Sequence, residues 1–241
     1  MLRRIINRTV VATALAVTAI SGASAQITIG TPGNAGNGSN FPFGHSGGWT
    51  KFQQLYSSSL FSEQFNIGSV SFYTKPNTGI LQQGTFNFFF STTSIAAVDV
   101  NTSTPSANVT GPRQPFGTLV IGANQAAPPV LTVTGSPFLY DPLMGNLLLE
   151  VDFTAIGGGF AIPARALFDL YRDAPGDFLV STSSDRQFGV LASNGIRGQG
   201  LVTRFGPATV VPEPSTVILM GSGLVGLAAV MRRRRGTRRM M

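Results

Sequence analysis

Five small constellations in this chain have residue types that could do chemistry. Gly44-His45-Ser46-Gly47-Gly48 has the G-x-S-x-G spacing of a nucleophile elbow. That elbow needs a buried strand before the serine, a helix after it, and a histidine base delivered from elsewhere. His45 is the only histidine and adjoins Ser46, so the expectation is a glycine-rich turn. Asp169, Asp173 and Asp177 recur every four residues around Tyr171-Arg172 and Pro175-Gly176. Loop carboxylates of this kind suit Ca²⁺, the one cofactor in view, but the spacing is not that of an EF-hand. Arg172 competes as an ion-pair partner, and a polar turn between two strands is expected. Glu150 and Asp152 share a strand face and could imitate the carboxylate pair of a glycosidase. The plainer expectation is the solvated side of an exposed strand. Trp49, Phe52, Tyr56 and Tyr73 could form an aromatic platform for sugar, although most aromatics of a cysteine-free sheet protein belong in its core. Gly221-Ser222-Gly223-Leu224-Val225-Gly226 has the dinucleotide-site spacing G-x-G-x-x-G. It lies in an apolar run followed only by arginines, without the strand and acid that site requires.

The elements that must position these residues are short. Pro and Gly punctuate the middle of the chain, and apolar, β-branched and aromatic runs alternate between them. The pattern predicts strands at Trp49–Tyr56, Ile67–Tyr73, Thr85–Ser91, Phe116–Gly122, Val130–Thr134 and Leu147–Phe153. Further strands are expected at Arg165–Arg172, Phe178–Ser181, Phe188–Ala192 and Leu201–Phe205. Ile27–Gly48 reads as loop with at most a short edge strand near Ile27–Ile29, and 75–79 as a turn. No stretch between Gln26 and Val211 sustains a capped helical period. The fold class is therefore all-β, an antiparallel β-sandwich or jelly roll over residues 26–210.

Charge is concentrated at the ends. The chain has 241 residues and a formal charge of +7, yet eight basic and nine acidic residues lie within 26–211. That near-neutral stretch offers no basic face for nucleic acid. With no cysteine, disulfides, thiolate nucleophiles and zinc-thiolate sites are excluded. A domain of this length must be held by its core.

The basic ends read as membrane-topology signals. Arg3, Arg4 and Arg8 precede the apolar run Thr9–Ile20, and Ala23 and Ala25 supply the small residues of a signal-peptidase site, so residues 1–25 read as a signal peptide and Gln26 as the mature start. At the other end, Ser215–Met231 carries no charge. As a helix it is about 25 Å long, enough to cross a bilayer once flanking arginines snorkel. Arg232, Arg233, Arg234 and Arg235 follow and should stay cytoplasmic, leaving the rest of the chain on the far side. Pro212, Glu213 and Pro214 stand just before the apolar run. The prolines lack N–H donors and hold the adjoining backbone extended, which presents Glu213 at the membrane edge.

This order of a V-P-E-P motif, an apolar helix and an arginine-rich end resembles the PEP-CTERM sorting signal of exported bacterial proteins. The resemblance covers residues 211–241. It implies that a membrane-embedded cysteine protease, the exosortase, reads Pro212, Glu213 and Pro214 and processes the chain for the cell surface or extracellular matrix. Such tails are also labelled ice-binding C-terminal domains, but the flat, regular threonine array that ice binding needs is not seen in this sequence. A second resemblance rests on Phe52-Gln53-Gln54-Leu55-Tyr56 with Ser59-Leu60-Phe61, on Ile67–Phe72, and on Phe138-Leu139-Tyr140-Asp141-Pro142 with Gly145–Val151. These segments are similar to a recurrent domain of exported bacterial proteins, which implies a β-sandwich in an extracellular setting.

The expectation for function is a non-enzymatic exported surface or matrix protein. Its partners would be the membrane, an exosortase-type protease, and exopolysaccharide or envelope components. The alternative is a displayed module that binds carbohydrate or ice.

Overall fold

β-branched and aromatic residues in short runs, cut by glycine and proline, build strands throughout a computed structural model. It describes residues 26–34, 38–44, 49–76, 79–102, 104–155, 165–184 and 196–208. In chain order the strands are β1 (Ile27–Ile29), β2 (Lys51–Tyr56), β3 (Phe65–Tyr73), β4 (Gly84–Thr93), β5 (Gln114–Ile121), β6 (Val130–Tyr140), β7 (Asn146–Ala155), β8 (Leu170–Arg172), β9 (Val180–Ser184), β10 (Ile196–Arg197), β11 (Gln199–Leu201) and β12 (Thr203–Pro207). They form a four-stranded sheet in the order β1-β12-β3-β6, a six-stranded sheet in the order β10-β9-β2-β7-β4-β5, and the pair β11-β8. Every strand pairing is antiparallel. Among the described residues the helical segments are short 3-10 turns, and no helix is long and apolar enough to cross a membrane. The chain divides into Met1–Ala208 and Thr209–Met241. The candidate signal peptide, the His45-Ser46 turn, the expected strand Phe188–Ala192 and the whole C-terminal tail lie outside the described residues.

Both sheets contribute to one apolar core. Phe52 and Tyr56 of β2, Phe86, Phe88 and Phe90 of β4, and Leu149 and Val151 of β7 enter it from the six-stranded sheet. Ile67, Val70 and Phe72 of β3, with Leu131, Val133 and Phe138 of β6, enter it from the other. Rings of the two sheets touch: Tyr56 meets Phe205 edge-on with centroids 5.2 Å apart, and Phe90 stacks on Phe138 at 5.3 Å. Each aromatic contact of this type adds about 0.5–1.5 kcal/mol beyond its buried area.

At the sheet edges β5 and β6 come so close that side chains are excluded. A Cβ on Gly135 of β6 would stand 2.1 Å from the Phe116 carbonyl oxygen of β5, so this contact requires glycine. β6 also runs past its expected end at Thr134, through Pro137 to Tyr140. Its register with β3 shifts between Ile67 and Ser69. β6 is an edge strand, and an edge tolerates proline because no ladder bond is lost.

Three other expected strands differ in extent, and Phe178–Ser181 is observed as Val180–Ser184. Arg165–Arg172 is a strand only from Leu170; Arg165 and Phe168 make isolated bridges to Ile80, Ser39 and Thr74. Leu201–Phe205 is split at Val202, because Leu201 pairs with Leu170 while Thr203 pairs with Phe72. The chain changes partners there.

The outer face of the six-stranded sheet is covered. The β4–β5 connection carries the 3-10 turns Ala97–Asp99 and Pro105–Asn108. Ala97 and Val100 pack on Leu55 of β2 and Leu148 of β7 as a second, smaller apolar cluster. β2 and β7 are therefore buried on both faces, and their middles show no alternation of buried and exposed residues.

Candidate functional site

The carboxylates Glu150 and Asp152 lie on that outer face, next to the covering connection. Strand register sets the group: Glu150 stands between Gln53 of β2 and Phe89 of β4, and Asp152 between Lys51 and Asn87. Glu150 is fully buried, which corrects the expectation of a solvated strand face. The physical reason is the covering connection, whose apolar residues seal the sheet beside it. A carboxylate taken out of water must be matched by donors, and Glu150 has three. Lys51 Nζ lies 3.2 Å from Glu150 Oε1 and 2.6 Å from Asp152 Oδ1. Arg113 Nε lies 3.1 Å from Glu150 Oε2, and its guanidinium also bonds Asp152. Gln53 donates to Glu150 Oε1 at 3.1 Å. Asn108, itself buried, donates to Gln53 Oε1 at 3.0 Å and to the Asn101 carbonyl at 2.9 Å. The Arg113 guanidinium lies over the Phe89 ring, 3.3 Å from its centroid.

Two cations and two carboxylates thus form a closed, charge-neutral group. Each carboxylate oxygen of the pair already accepts from a cation. The arrangement ties β2, β7 and the end of the covering connection together. Sequence reasoning placed none of Lys51, Gln53, Phe89, Asn108 and Arg113 beside these carboxylates. A signal was available: Leu147-Leu148-Leu149-Glu150-Val151 is apolar at positions of both parities. That marks a strand buried on both sides, and hence a glutamate in need of partners.

The three aspartates are not gathered. Asp169 is buried, 3.0 Å from Lys75 Nζ, and accepts from the Gly33 N–H at 2.6 Å. Asp173 accepts from the Val180 N–H at 3.0 Å. Asp177 is exposed in a turn. Lys75, not Arg172, is the ion-pair partner of Asp169. Among the described residues no group of three or more His, Asp or Glu could hold a metal ion.

The expectation that the aromatics belong in the core holds for three of the four. Trp49, Phe52 and Tyr56 are buried in the core to which both sheets contribute. Trp49 stacks on Phe153 at 4.7 Å. The Tyr56 hydroxyl donates to Thr203 Oγ1 at 2.8 Å, and burial pushes its pKa upward. Tyr73 is half-buried, with the Arg204 guanidinium 5.6 Å from its ring centroid.

Gln26 is exposed and directly precedes β1. Ala23, Ala25, Pro212, Glu213, Pro214 and Arg232–Arg235 lie outside the described residues, as does the glycine motif Gly221–Gly226.

Comparison with known proteins locates a functional signal in the tail. Residues 210–235 match the family model of the PEP-CTERM protein-sorting motif. No curated protein and no solved structure matches the chain. The motif indicates an exported protein with a membrane-associated C-terminal sorting signal that exosortase, a membrane protein, processes.

Proposed function

We propose that this chain is a non-enzymatic surface or extracellular-matrix protein, exported through a signal peptide at residues 1–25 and addressed by its tail. The observation that carries the reading is the sorting motif at residues 210–235. Pro212, Glu213 and Pro214 are the element the processing protease reads. Ser215–Met231 crosses the membrane, and Arg232, Arg233, Arg234 and Arg235 hold its end in the cytoplasm. Residues 26–210 are displayed as a β-sandwich. Ring contacts between the two sheets across one core support that architecture. A filled aromatic core and a neutralised ion cluster, in place of an aromatic platform, support a structural role over a sugar-binding one.

The test separates an address from a plain anchor. Insertion depends on the apolar run and the arginines, not on the residues before them. Glu213→Ala with Pro214→Ala should leave insertion intact and stop maturation. In a pulse-chase with membrane fractionation in the native host, the wild-type chain should shift to a shorter, tail-free form. The double variant should accumulate at full length in the membrane. Equal persistence of both full-length forms would mean that the tail is only an anchor.

A further inference from the structure

Strand register brings both ends of the described domain to one end of the four-stranded sheet. β1 begins at Ile27, opposite Phe205, and β12 ends at Pro207, opposite Ile67. Ala208 then donates its N–H to the Asn66 carbonyl at 2.8 Å. Asn66 faces Leu139 of β6, and Phe65 faces Tyr140. Just past Tyr140 comes the 3-10 turn Pro142–Met144. This end of the sheet therefore carries both chain exits and the β6–β7 tip, with Gln26 at one edge, the tip at the other and the Ala208 exit between them.

The tip is built rigidly and left bare. The Tyr140 hydroxyl donates to the Gly145 carbonyl at 2.8 Å, and its ring packs edge-on against Phe61 at 4.8 Å. Asp141 accepts from the Leu143 N–H at 2.9 Å and shapes the turn. Yet Leu143 is 92% exposed, Met144 73% and Leu139 61%. Apolar side chains held out by a braced turn are the mark of an interaction surface. The two connections that flank the tip, Ser57–Gln64 and Asp141–Gly145, carry two acids, Glu63 and Asp141, and no basic residue. The surface is thus suited to hydrocarbon and not to anionic headgroups.

The sequence on either side of the described domain bears on what covers it. The apolar run Thr9–Ile20 leads into Gln26, and the apolar run Ser215–Met231 follows Ala208 after only six residues. Six residues reach at most about 25 Å between those points when fully extended. A bilayer holding the tail therefore lies within that reach of this end of the domain.

We propose that this end stands on the bilayer in the tail-anchored form, with Leu143 and Met144 inserted into the lipid interface. The assignment rests on the tail being membrane-inserted, as argued above. Leucine and methionine at a turn tip enter the boundary between headgroups and acyl chains by apolar burial alone.

The chain has no cysteine, so single labels are clean. Leu143→Cys, Val120→Cys and Val225→Cys, each made in the full-length chain, are labelled with an environment-sensitive fluorophore and reconstituted in phosphatidylcholine vesicles. Val120 is 62% exposed and pairs with Thr85, at the far end of the strands. The expected result is blue-shifted emission, quenched by nitroxide-bearing lipid, at positions 143 and 225 and not at 120. A label at 225 in lipid with one at 143 as wet as that at 120 overturns the docking alone. A wet label at 225 overturns the tail reading and the docking with it. A shift at 143 that fades as protein is diluted in the bilayer indicates a second copy of the chain and also overturns the proposal.

Discussion

The side-chain amide of Gln54 pairs with the backbone of Leu201 at two points. Its Nε2 donates to the Leu201 carbonyl and its Oε1 accepts from the Leu201 N–H, both at 2.9 Å. Gln54 lies on β2 and Leu201 at the end of β11, where the chain leaves β8 for β3. A buried glutamine thus stands in for a neighbouring strand at the point where the chain changes partners. Thr203 adds a second donor to the same carbonyl at 2.9 Å.

Gln54→Leu should destabilise the fold by about 1–3 kcal/mol, the cost of a buried donor left unmatched. The Leu201 N–H loses its acceptor, while its carbonyl keeps Thr203. Urea denaturation of the variant checks this; an unchanged midpoint would show that the amide pair is dispensable.

Arg113→Ala should cost about 2 kcal/mol, the order of a hydrogen bond to a charged group. It strands Oε2 of a buried Glu150 and uncovers Phe89. Glu150→Gln in the same background should recover part of the loss, because the residual charge is then removed. A double-mutant cycle measured by denaturation reads that coupling directly.

Gly135→Ala should destabilise by about 1–3 kcal/mol, the usual range for overpacking. Its new methyl meets the Phe116 carbonyl oxygen, which is backbone and cannot swing aside. Gly122→Ala is the control. It has open space around it and no positive φ, so its effect should stay within about 0.5 kcal/mol. Thermal melts of the two variants should separate clearly.

Stability should fall in alkali. Burial, then the hydrogen bond and charge of Asp173, push the Tyr171 pKa from 10.0 up to about 12. Burial also raises Tyr56 and Tyr140. The fold favours the protonated phenols, so this contribution is complete below pH 10 and is lost as pH rises through the folded values. Denaturation midpoints should decline from about pH 10 upward, and Tyr171→Phe should soften the decline. A flat profile across that range would refute the burial argument.

The exported chain should begin at Gln26. Ala23 and Ala25 fit the small-residue positions of a signal-peptidase site, and Gln26 is exposed just before β1. N-terminal sequencing decides it, and a start at Met1 rules it out.

Sequence alone determined the all-β class, the antiparallel strands and the sorting tail, because each is written in local order. Alternation and turn residues specify strands within a few positions. A tail of proline, acid, apolar run and arginines is read by its linear sequence, as the match at residues 210–235 bears out. Ile27–Ile29 was legible as an edge strand for the same reason. Tertiary structure decided what lies over each strand. Glu150 and Asp152 read as a solvated face because a strand's own pattern does not reveal a covering from another segment. Ala97, Val100 and Asn108, more than forty residues away in sequence, turn that face into an interior. By contrast, composition alone pointed Trp49, Phe52 and Tyr56 to the core, where they are found. The exits at Gln26 and Ala208 share one end of the sheet with the Leu143 tip for an equally non-local reason: β1 pairs with β12, β12 with β3, and β3 with β6.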